Sequence, residues 1–178
     1  MARTQDAEID GQSFETVIRN CNICTASDVY VADIGIAAGR ITCIGTGLPT
    51  GDTDIDAQGR IVTPGGVDAH CHLDQPVEPS AKMADDFPTG TRSAACGGTT
   101  TVIPFAAQMK GGSLLDAVDD YHRRADKGAY IDYAFHLIVS DPTAQVLGQE
   151  LPALIERGYT SFKIYMTYDD LKLADLIE

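Results

Sequence analysis

The stretch GGVDAHCHLD, residues 65–74, places His70 and His72 one residue apart in a run that is otherwise typical of a buried strand. An imidazole that is removed from water without a hydrogen-bonding partner costs on the order of 1–3 kcal/mol. Because alternate residues of a strand face the same side, the two imidazoles are expected to project together while Cys71 faces away. Two converging imidazoles are typical of a site for a divalent metal ion, although two separately hydrogen-bonded histidines at a strand end would give the same pattern.

After this stretch, segments typical of strands alternate with segments typical of helices. The strand-like segments centre near residues 70, 101, 135 and 163, a spacing of about 30 residues that is typical of a βαβ unit. Strands that are apolar on both faces and joined by helices form a parallel sheet. Residues 66–178 therefore hold four of the eight units of a (β/α)8 barrel. The sequence predicts the α/β fold class, with the first half of a TIM-type barrel.

The helices between these strands have recognisable ends. One helix is expected in DDFPTGTRSAACGG, where Asp85 and Asp86 precede the first turn and Gly97-Gly98 closes the last. The next is expected to begin after Ser113 and to stop at Gly128, and a third lies in DPTAQVLGQELPALIERG. A last helix is expected to begin in DLKLADLIE.

The first 63 residues have a different character, with short β-branched runs separated by turn residues. The tetrapeptide 37–40 (AAGR) and the tripeptide 58–60 (QGR) are expected to form hairpin turns. We therefore predict an incomplete N-terminal β-sandwich module in residues 1–63, built as a small antiparallel unit. Residues 64–178 form the second predicted domain, the incomplete barrel.

Composition and charge argue against several classes of partner. The 178 residues are 44% hydrophobic and 22% charged, which is enough apolar material to build a core. Lysine and arginine number 13 against 26 acidic residues, a net charge of −13, and no basic cluster is present. Binding to nucleic acid or to an anionic membrane requires a positive surface, so neither is expected. The polar N-terminus lacks the apolar segment of a signal peptide, and a cytoplasmic location is expected.

The cysteines and one lysine raise separate questions. The five cysteines, an odd number, are typical of a reducing compartment, and Cys21 and Cys24 are expected to be ordinary buried cysteines, not a zinc or redox pair. Lys163 stands between Phe162 and Ile164 in an apolar strand. Lysine is rarely buried unpaired, so a salt bridge inside the barrel, a side chain that reaches solvent and a functional role all remain open.

Three motifs resemble one family. The segments GGVDAHCHLDQP, MADDFPTGTRSAACGGTTTVIPF and SFKIYMTY, in this order, resemble the cyclic amidohydrolases, most closely the hydantoinase and dihydropyrimidinase branch. The resemblance implies that His70 and His72 bind the more buried of two divalent ions. It also implies that Lys163 is carbamylated and bridges both ions, and that the Tyr168 hydroxyl stabilises the oxyanion at the amide carbonyl. Zinc is the expected metal, with manganese or another divalent ion as alternatives.

The same resemblance implies the reaction. Two divalent ions would lower the pKa of a bridging water and polarise a ring carbonyl, so that a hydantoin or dihydropyrimidine opens to an N-carbamoyl amino acid. The expected partners are this small cyclic amide and further copies of the protein, since the family is commonly tetrameric. Asp74 stands where dihydroorotases have an arginine and allantoinases tend to have an asparagine. An acid there is expected to repel a substrate carboxylate, which favours the hydantoinase branch.

Other interpretations stay open. The family takes its remaining metal ligands from later barrel strands, so these 178 residues alone are expected to be inactive. A non-catalytic scaffold homologue and an allantoinase-like or dihydroorotase-like enzyme are the alternatives. His122, beside Arg123 and Arg124 in a charged helix, is expected to be solvated, and His136 is expected to be a hydrogen-bonded core residue.

Overall fold

A computed structural model describes residues 13–77 and 80–165. The chain divides into two compact units between Pro64 and Gly65. The strands of the first unit are β1 (Thr16–Cys24), β2 (Val29–Ala37), β3 (Arg40–Gly45), β4 (Thr53–Asp56) and β5 (Ile61–Val62). They form one five-stranded sheet in the order β3-β2-β1-β4, with β5 also paired to β1.

The direction of the strands corrects part of the prediction for this unit. Strands β1, β2 and β3 are antiparallel as predicted, and the turn between β2 and β3 has positive φ at Ala38 (50°) and Gly39 (68°), as a type I′ hairpin requires. Strands β4 and β5, however, both run parallel to β1. The sheet is therefore mixed, because the chain crosses over after β3 and returns beside β1 in the same direction.

The second predicted hairpin, at Gln58 and Gly59, is wrong. Both residues have positive φ, 55° and 74°, but β4 and β5 on either side continue in one direction along β1. The turn lies opposite Asn20 of β1, which also has positive φ (55°) where the β1–β2 register shifts, and Gly59 N donates to Asn20 O at 2.9 Å. It thus matches a bulge in β1 and does not reverse the chain. Cys21, just after the bulge, is buried as predicted.

The second unit alternates strands and helices. Its elements are β6 (Gly66–Cys71), α1 (Phe87–Cys96), β7 (Thr99–Ala107), α2 (Leu114–Ala125), β8 (Asp132–Tyr133), β9 (His136–Ile138), α3 (Leu151–Glu156) and β10 (Phe162–Lys163). The sheet has the order β10-β9-β7-β6 with every pairing parallel, and β8 pairs with the first part of β7. This confirms the predicted half-barrel sheet.

Two details of this unit differ from the expectation. The predicted third strand is divided by Ala134 and Phe135 into β8 and β9, and a π-helical turn at Val146–Glu150 precedes the short helix α3. The helix expected in DLKLADLIE lies outside the described residues. Within the described ranges, no helix is long and apolar enough to cross a membrane.

The predicted helix starts are confirmed. The Asp86 carboxylate caps α1 by accepting from Thr89 N at 2.9 Å, while Thr89 Oγ1 accepts from Asp86 N at 3.1 Å, which together form a capping box. These hydrogen bonds from Thr89 hold the pKa of Asp86 below its usual value. The helix ends at Gly97, and Gly98 follows with a φ of 87°. Ser113 caps α2, which ends at Asp126, two residues before the expected Gly128.

The sheet of the second unit has two different faces. One face packs against the helices, and the core there consists of Leu73, Phe87, Val102, Ala106, Leu114, Val118, Tyr121, Ala125, Phe135, Leu137, Val139, Val146 and Leu154. Because strand residues alternate, Phe105 on β7 and His136 on β9 belong to the other face. Cys71 packs against the core, so His70 and His72 face the opposite way, as predicted.

The expectation that His70 and His72 lie in a buried strand is wrong. Strand β6 is exposed along most of its length, and both imidazoles are exposed. The reason is its position at the edge of the described sheet, where β7 is its partner. The start of β6 lies very close to β7, since a Cβ on Gly65 would come within 2.1 Å of Thr100 Oγ1.

Candidate metal centre

Phe105 lies at the centre of the face that carries the histidines. Its side chain is 5% exposed, and its ring centroid lies 4.8 Å from that of His70 and 5.0 Å from that of His72. The Nζ atom of Lys163 lies 4.2 Å from the same centroid. The fold therefore brings His70, His72 and Lys163 together around one aromatic ring, although β6 and β10 lie at opposite ends of the described sheet.

The two imidazoles suit a shared metal ion. Their ring centroids are 5.6 Å apart and their planes are inclined by 56°. Two imidazoles bound to one tetrahedral ion, with metal–nitrogen bonds of about 2.0–2.1 Å, have centroids roughly 5 Å apart. The separation between His70 and His72 is close to that value, so the spacing of the two rings is compatible with one shared divalent ion.

Gln75 orients the second histidine. The Nδ1 atom of His72 is hydrogen-bonded to Gln75 Oε1, which can only accept. His72 Nδ1 is therefore the protonated nitrogen of the neutral ring, and its lone pair is on Nε2. Histidines that bind metals commonly make this kind of hydrogen bond through the nitrogen that does not bind the ion.

Lys163 is half-buried and has an aromatic environment. Besides Phe105, its ammonium lies 5.3 Å from the ring centroid of Tyr165. In the part of the chain that the structure describes, no carboxylate forms a salt bridge with it. The salt-bridge interpretation of Lys163 is therefore not supported there. Tyr168, the predicted oxyanion-stabilising residue, lies outside the described residues.

The structure adds His136 to the same face. Its ring centroid lies 5.1 Å from that of Phe105. Nε2 bonds to Ala69 O at 2.8 Å and Nδ1 to Ser161 Oγ at 2.6 Å. The predicted hydrogen bonding of His136 is confirmed, but the residue lies beside the candidate centre and not in the hydrophobic core. Alternation along the third strand places His136 on the face opposite the core. Its neighbours on that face depend on the register between strands, which the sequence does not specify.

Comparisons with known proteins agree with this fold. Residues 61–140 match a family model described as the amidohydrolase family. The chain is 47% identical over 161 residues to a D-hydantoinase from Geobacillus stearothermophilus, covering 89% of this chain and 34% of the relative. It is 35% identical over 164 residues to the dihydropyrimidinase of Rattus norvegicus, covering 89% and 31%. A solved D-hydantoinase structure superposes with a TM-score of 0.84 at 43% identity, covering 89% and 34%.

The chain is similar over residues 61–140 to the amidohydrolase family. The resemblance to its hydantoinase and dihydropyrimidinase branch, inferred from three motifs, is confirmed. The predicted fold class is confirmed as well, because hydantoinases are the structural neighbours of this chain. The chain spans about a third of the length of these relatives.

Asp74, whose position bears on the substrate branch, is paired with an arginine. Its Oδ1 lies 3.6 Å from Arg124 Nη1, and the same Nη1 donates to Asp74 O at 2.9 Å. Arg124 also binds Asp120, with Nη2 2.5 Å from Asp120 Oδ2, so one guanidinium is shared by two carboxylates. The repulsion of a substrate carboxylate by Asp74 stays a prediction. Asp74 has a φ of 48°, and its N donates to Asp85 O at 3.0 Å, so its contacts shape the loop after β6.

The prediction that His122 is solvated is also wrong. Tyr159 OH is hydrogen-bonded to its Nε2, Tyr133 OH lies 3.4 Å from its Nδ1, and its ring packs 5.0 Å from that of Phe135. Burial and a hydrogen bond to Asp126 raise the pKa of Tyr133 to about 12. His122 is half-buried because this side of α2 covers the aromatic side chains that follow it in the chain.

The donor set of the described residues is incomplete for a two-ion centre. No group of three or more histidine, cysteine, aspartate or glutamate side chains that could hold a metal ion occurs in residues 13–77 and 80–165. Of the four histidines in the sequence, His122 and His136 make hydrogen bonds through both ring nitrogens. His70 and His72 are thus the imidazoles suited to a metal, and Lys163 is the further group that faces them.

Proposed function

We propose that the full-length protein hydrolyses the ring amide of hydantoins or dihydropyrimidines and releases N-carbamoyl amino acids. The observation that carries this proposal is the convergence of His70, His72 and Lys163 on Phe105. Relatives named D-hydantoinase and dihydropyrimidinase, 47% and 35% identical to this chain, support the substrate class. Homo-oligomeric assembly is part of the same proposal.

We assign His70 and His72 as ligands of one divalent ion, with zinc as the expected metal and manganese as the alternative. Nε2 of His72 is the available donor, because its Nδ1 is committed to Gln75. Lys163 is proposed to react through its neutral amine with carbon dioxide; a nitrogen–carbon bond forms and a proton is released. The resulting carbamate would carry a negative charge and two oxygen donors, which an ammonium lacks, and these oxygens would be available to divalent ions.

Each residue then has a distinct task. Divalent ions, when bound, would lower the pKa of a water molecule and polarise the amide carbonyl. His70 and His72 hold their ion through neutral nitrogens, the Lys163 carbamate balances its charge, and Tyr168 donates a hydrogen bond to the oxyanion formed at the carbonyl. The remaining metal ligands must be residues other than these four histidines, because His122 and His136 make hydrogen bonds through both ring nitrogens. We therefore propose that the 178 residues alone do not catalyse the reaction.

The test is metal content and ring opening in the full-length protein. We expect the double variant His70→Ala, His72→Ala to fold, to lose bound metal and to lose turnover of hydantoin and dihydrouracil. The matched control is His122→Gln, which removes another imidazole of the same unit away from Phe105 and should retain both properties. A folded double variant that still opened the ring would overturn the assignment. A wild type that assembled without metal would favour the non-catalytic scaffold. Turnover of dihydroorotate would favour a dihydroorotase-like enzyme instead.

A further inference from the structure

The imidazole of His136 joins two strands that do not pair with each other. Ala69 O on β6 can only accept a hydrogen bond, so His136 Nε2 must be the donor across the 2.8 Å between them. Nδ1 then carries the lone pair of the neutral ring and accepts the Ser161 hydroxyl hydrogen across 2.6 Å. In the neutral ring, both contacts are made by one tautomer, the one protonated at Nε2.

The contact at Ala69 lies where the pairing between β6 and β7 is interrupted. The β6–β7 register shifts between Asp68 and Cys71, and Pro104 lies opposite Cys71. A backbone carbonyl without a partner is costly, and here a side chain from β9 supplies the hydrogen bond instead.

The two partners of His136 are adjacent to the proposed ligands. Ala69 directly precedes His70 in the chain, and Ser161 lies two residues before Lys163. The ring itself packs 5.1 Å from Phe105, which both His70 and Lys163 contact. A single side chain therefore links the two ligand-bearing strands directly, in addition to the backbone pairing through β7 and β9.

We propose that His136 is a positioning residue of the metal centre, which holds the His70 strand and the Lys163 strand in register through Ala69 O and Ser161 Oγ. This role rests on the proposed function, since it concerns the same metal site. His136 binds neither metal nor substrate. Its hydrogen bond to Ala69 O lies where the β6–β7 pairing is interrupted and thereby fixes the backbone just before His70.

The test compares variants of the full-length protein. His136→Phe keeps a flat ring against Phe105 and removes both hydrogen bonds, whereas His136→Gln retains a donor. We expect His136→Phe to weaken zinc binding by about 10–100-fold, as partners of metal ligands commonly do, and His136→Gln to recover most of it. Zinc affinity is measured by competition with a chromophoric chelator, with His122→Gln as the matched control and circular dichroism as the check on folding.

Two further measurements keep the role falsifiable. Nitrogen-15 NMR of the metal-free protein should show His136 protonated at Nε2; protonation at Nδ1 would overturn the proposal. If His136→Phe does not fold, Ser161→Ala, which removes one of the two contacts, should still weaken zinc binding, and an unchanged affinity would contradict us. A wild type that bound neither zinc nor manganese would overturn the proposed function itself, whereas a zinc-binding wild type with an unaffected His136→Phe would overturn the role of His136 alone.

Discussion

At the scale of the residue, the orientation of each imidazole follows from the hydrogen bond at its other nitrogen. His72 donates from Nδ1 to Gln75, so its lone pair is on Nε2, whereas His136 donates from Nε2 and has its lone pair turned to Ser161. The two histidines lie on one face of the sheet, yet their partners commit them to different chemistry. His72 has a lone pair on Nε2 for a metal, whereas His136 could bind a metal only by breaking its hydrogen bonds.

Gln75 offers the sharpest test at this scale. We expect Gln75→Leu to weaken zinc binding by about 10–100-fold, because the acceptor that selects the His72 tautomer is lost. Gln75→Glu is the matched variant; it keeps an acceptor in the same place and should bind zinc as the wild type does. Chelator competition reads the affinity, and nitrogen-15 NMR of His72 reads the tautomer. Equal affinity in both variants would show that Gln75 does not orient the ring.

At the scale of the element, helix α2 depends on a carboxylate from a distant segment. Glu150, at the end of the π-helical turn, is 5% exposed and accepts from Leu114 N at 2.7 Å and from Ser113 Oγ at 2.9 Å. Burial raises the pKa of Glu150, but the hydrogen bonds from Ser113 and the first turn of α2 outweigh it and hold the pKa below its usual value. The negative charge also meets the positive end of the helix dipole.

This cap makes stability depend on pH in a definite direction. Since the pKa of Glu150 is lowered in the folded state, its contribution to the free energy of unfolding is present above its unfolded-state pKa and is lost as the pH falls through the folded-state value. Glu150→Gln should lower the free energy of unfolding at neutral pH by about 1–3 kcal/mol and flatten its acid dependence. Urea unfolding over a range of pH measures both. Glu156→Gln, at an exposed position of α3, should change neither.

The sequence predicts best what is decided locally. The caps at Asp86 and Ser113 and the shared face of His70 and His72 depend on residues within one turn or one strand, and all were predicted. The directions of β4 and β5 and the interruption of the third strand depend on contacts with distant strands, and they were missed. Phe105 was missed for the same reason, because the register of four strands decides what it contacts.

At the scale of the whole molecule, apolar side chains remain exposed at both ends of the described parallel sheet. Val67 on β6 is 61% exposed, and Phe162 and Ile164 at β10 are 39% and 49% exposed. A strand edge with apolar side chains promotes association with other chains. At these two edges, β6 and β10 can pair with additional strands.

The 178-residue chain studied by itself should therefore self-associate. We expect Val67→Lys to reduce this association, because a charge on an edge strand opposes strand pairing. Tyr130→Lys is the matched control, a similar change at a residue that is 66% exposed but lies outside the strands. Sedimentation velocity measures the difference, and equal association of both variants would mean that the β6 edge is not responsible.

Phe105 has a consequence for how the centre is assembled. The face of an aromatic ring carries negative charge density, which attracts the Lys163 ammonium at 4.2 Å. A carbamate at the same nitrogen is an anion, and the same ring would repel it. The contact that holds the unmodified lysine would therefore oppose the proposed carbamate, and the proposed carbon dioxide uptake would require the side chain to move away from the ring. Metal loading and lysine modification are then expected to occur together, each stabilising a side-chain position that the other requires.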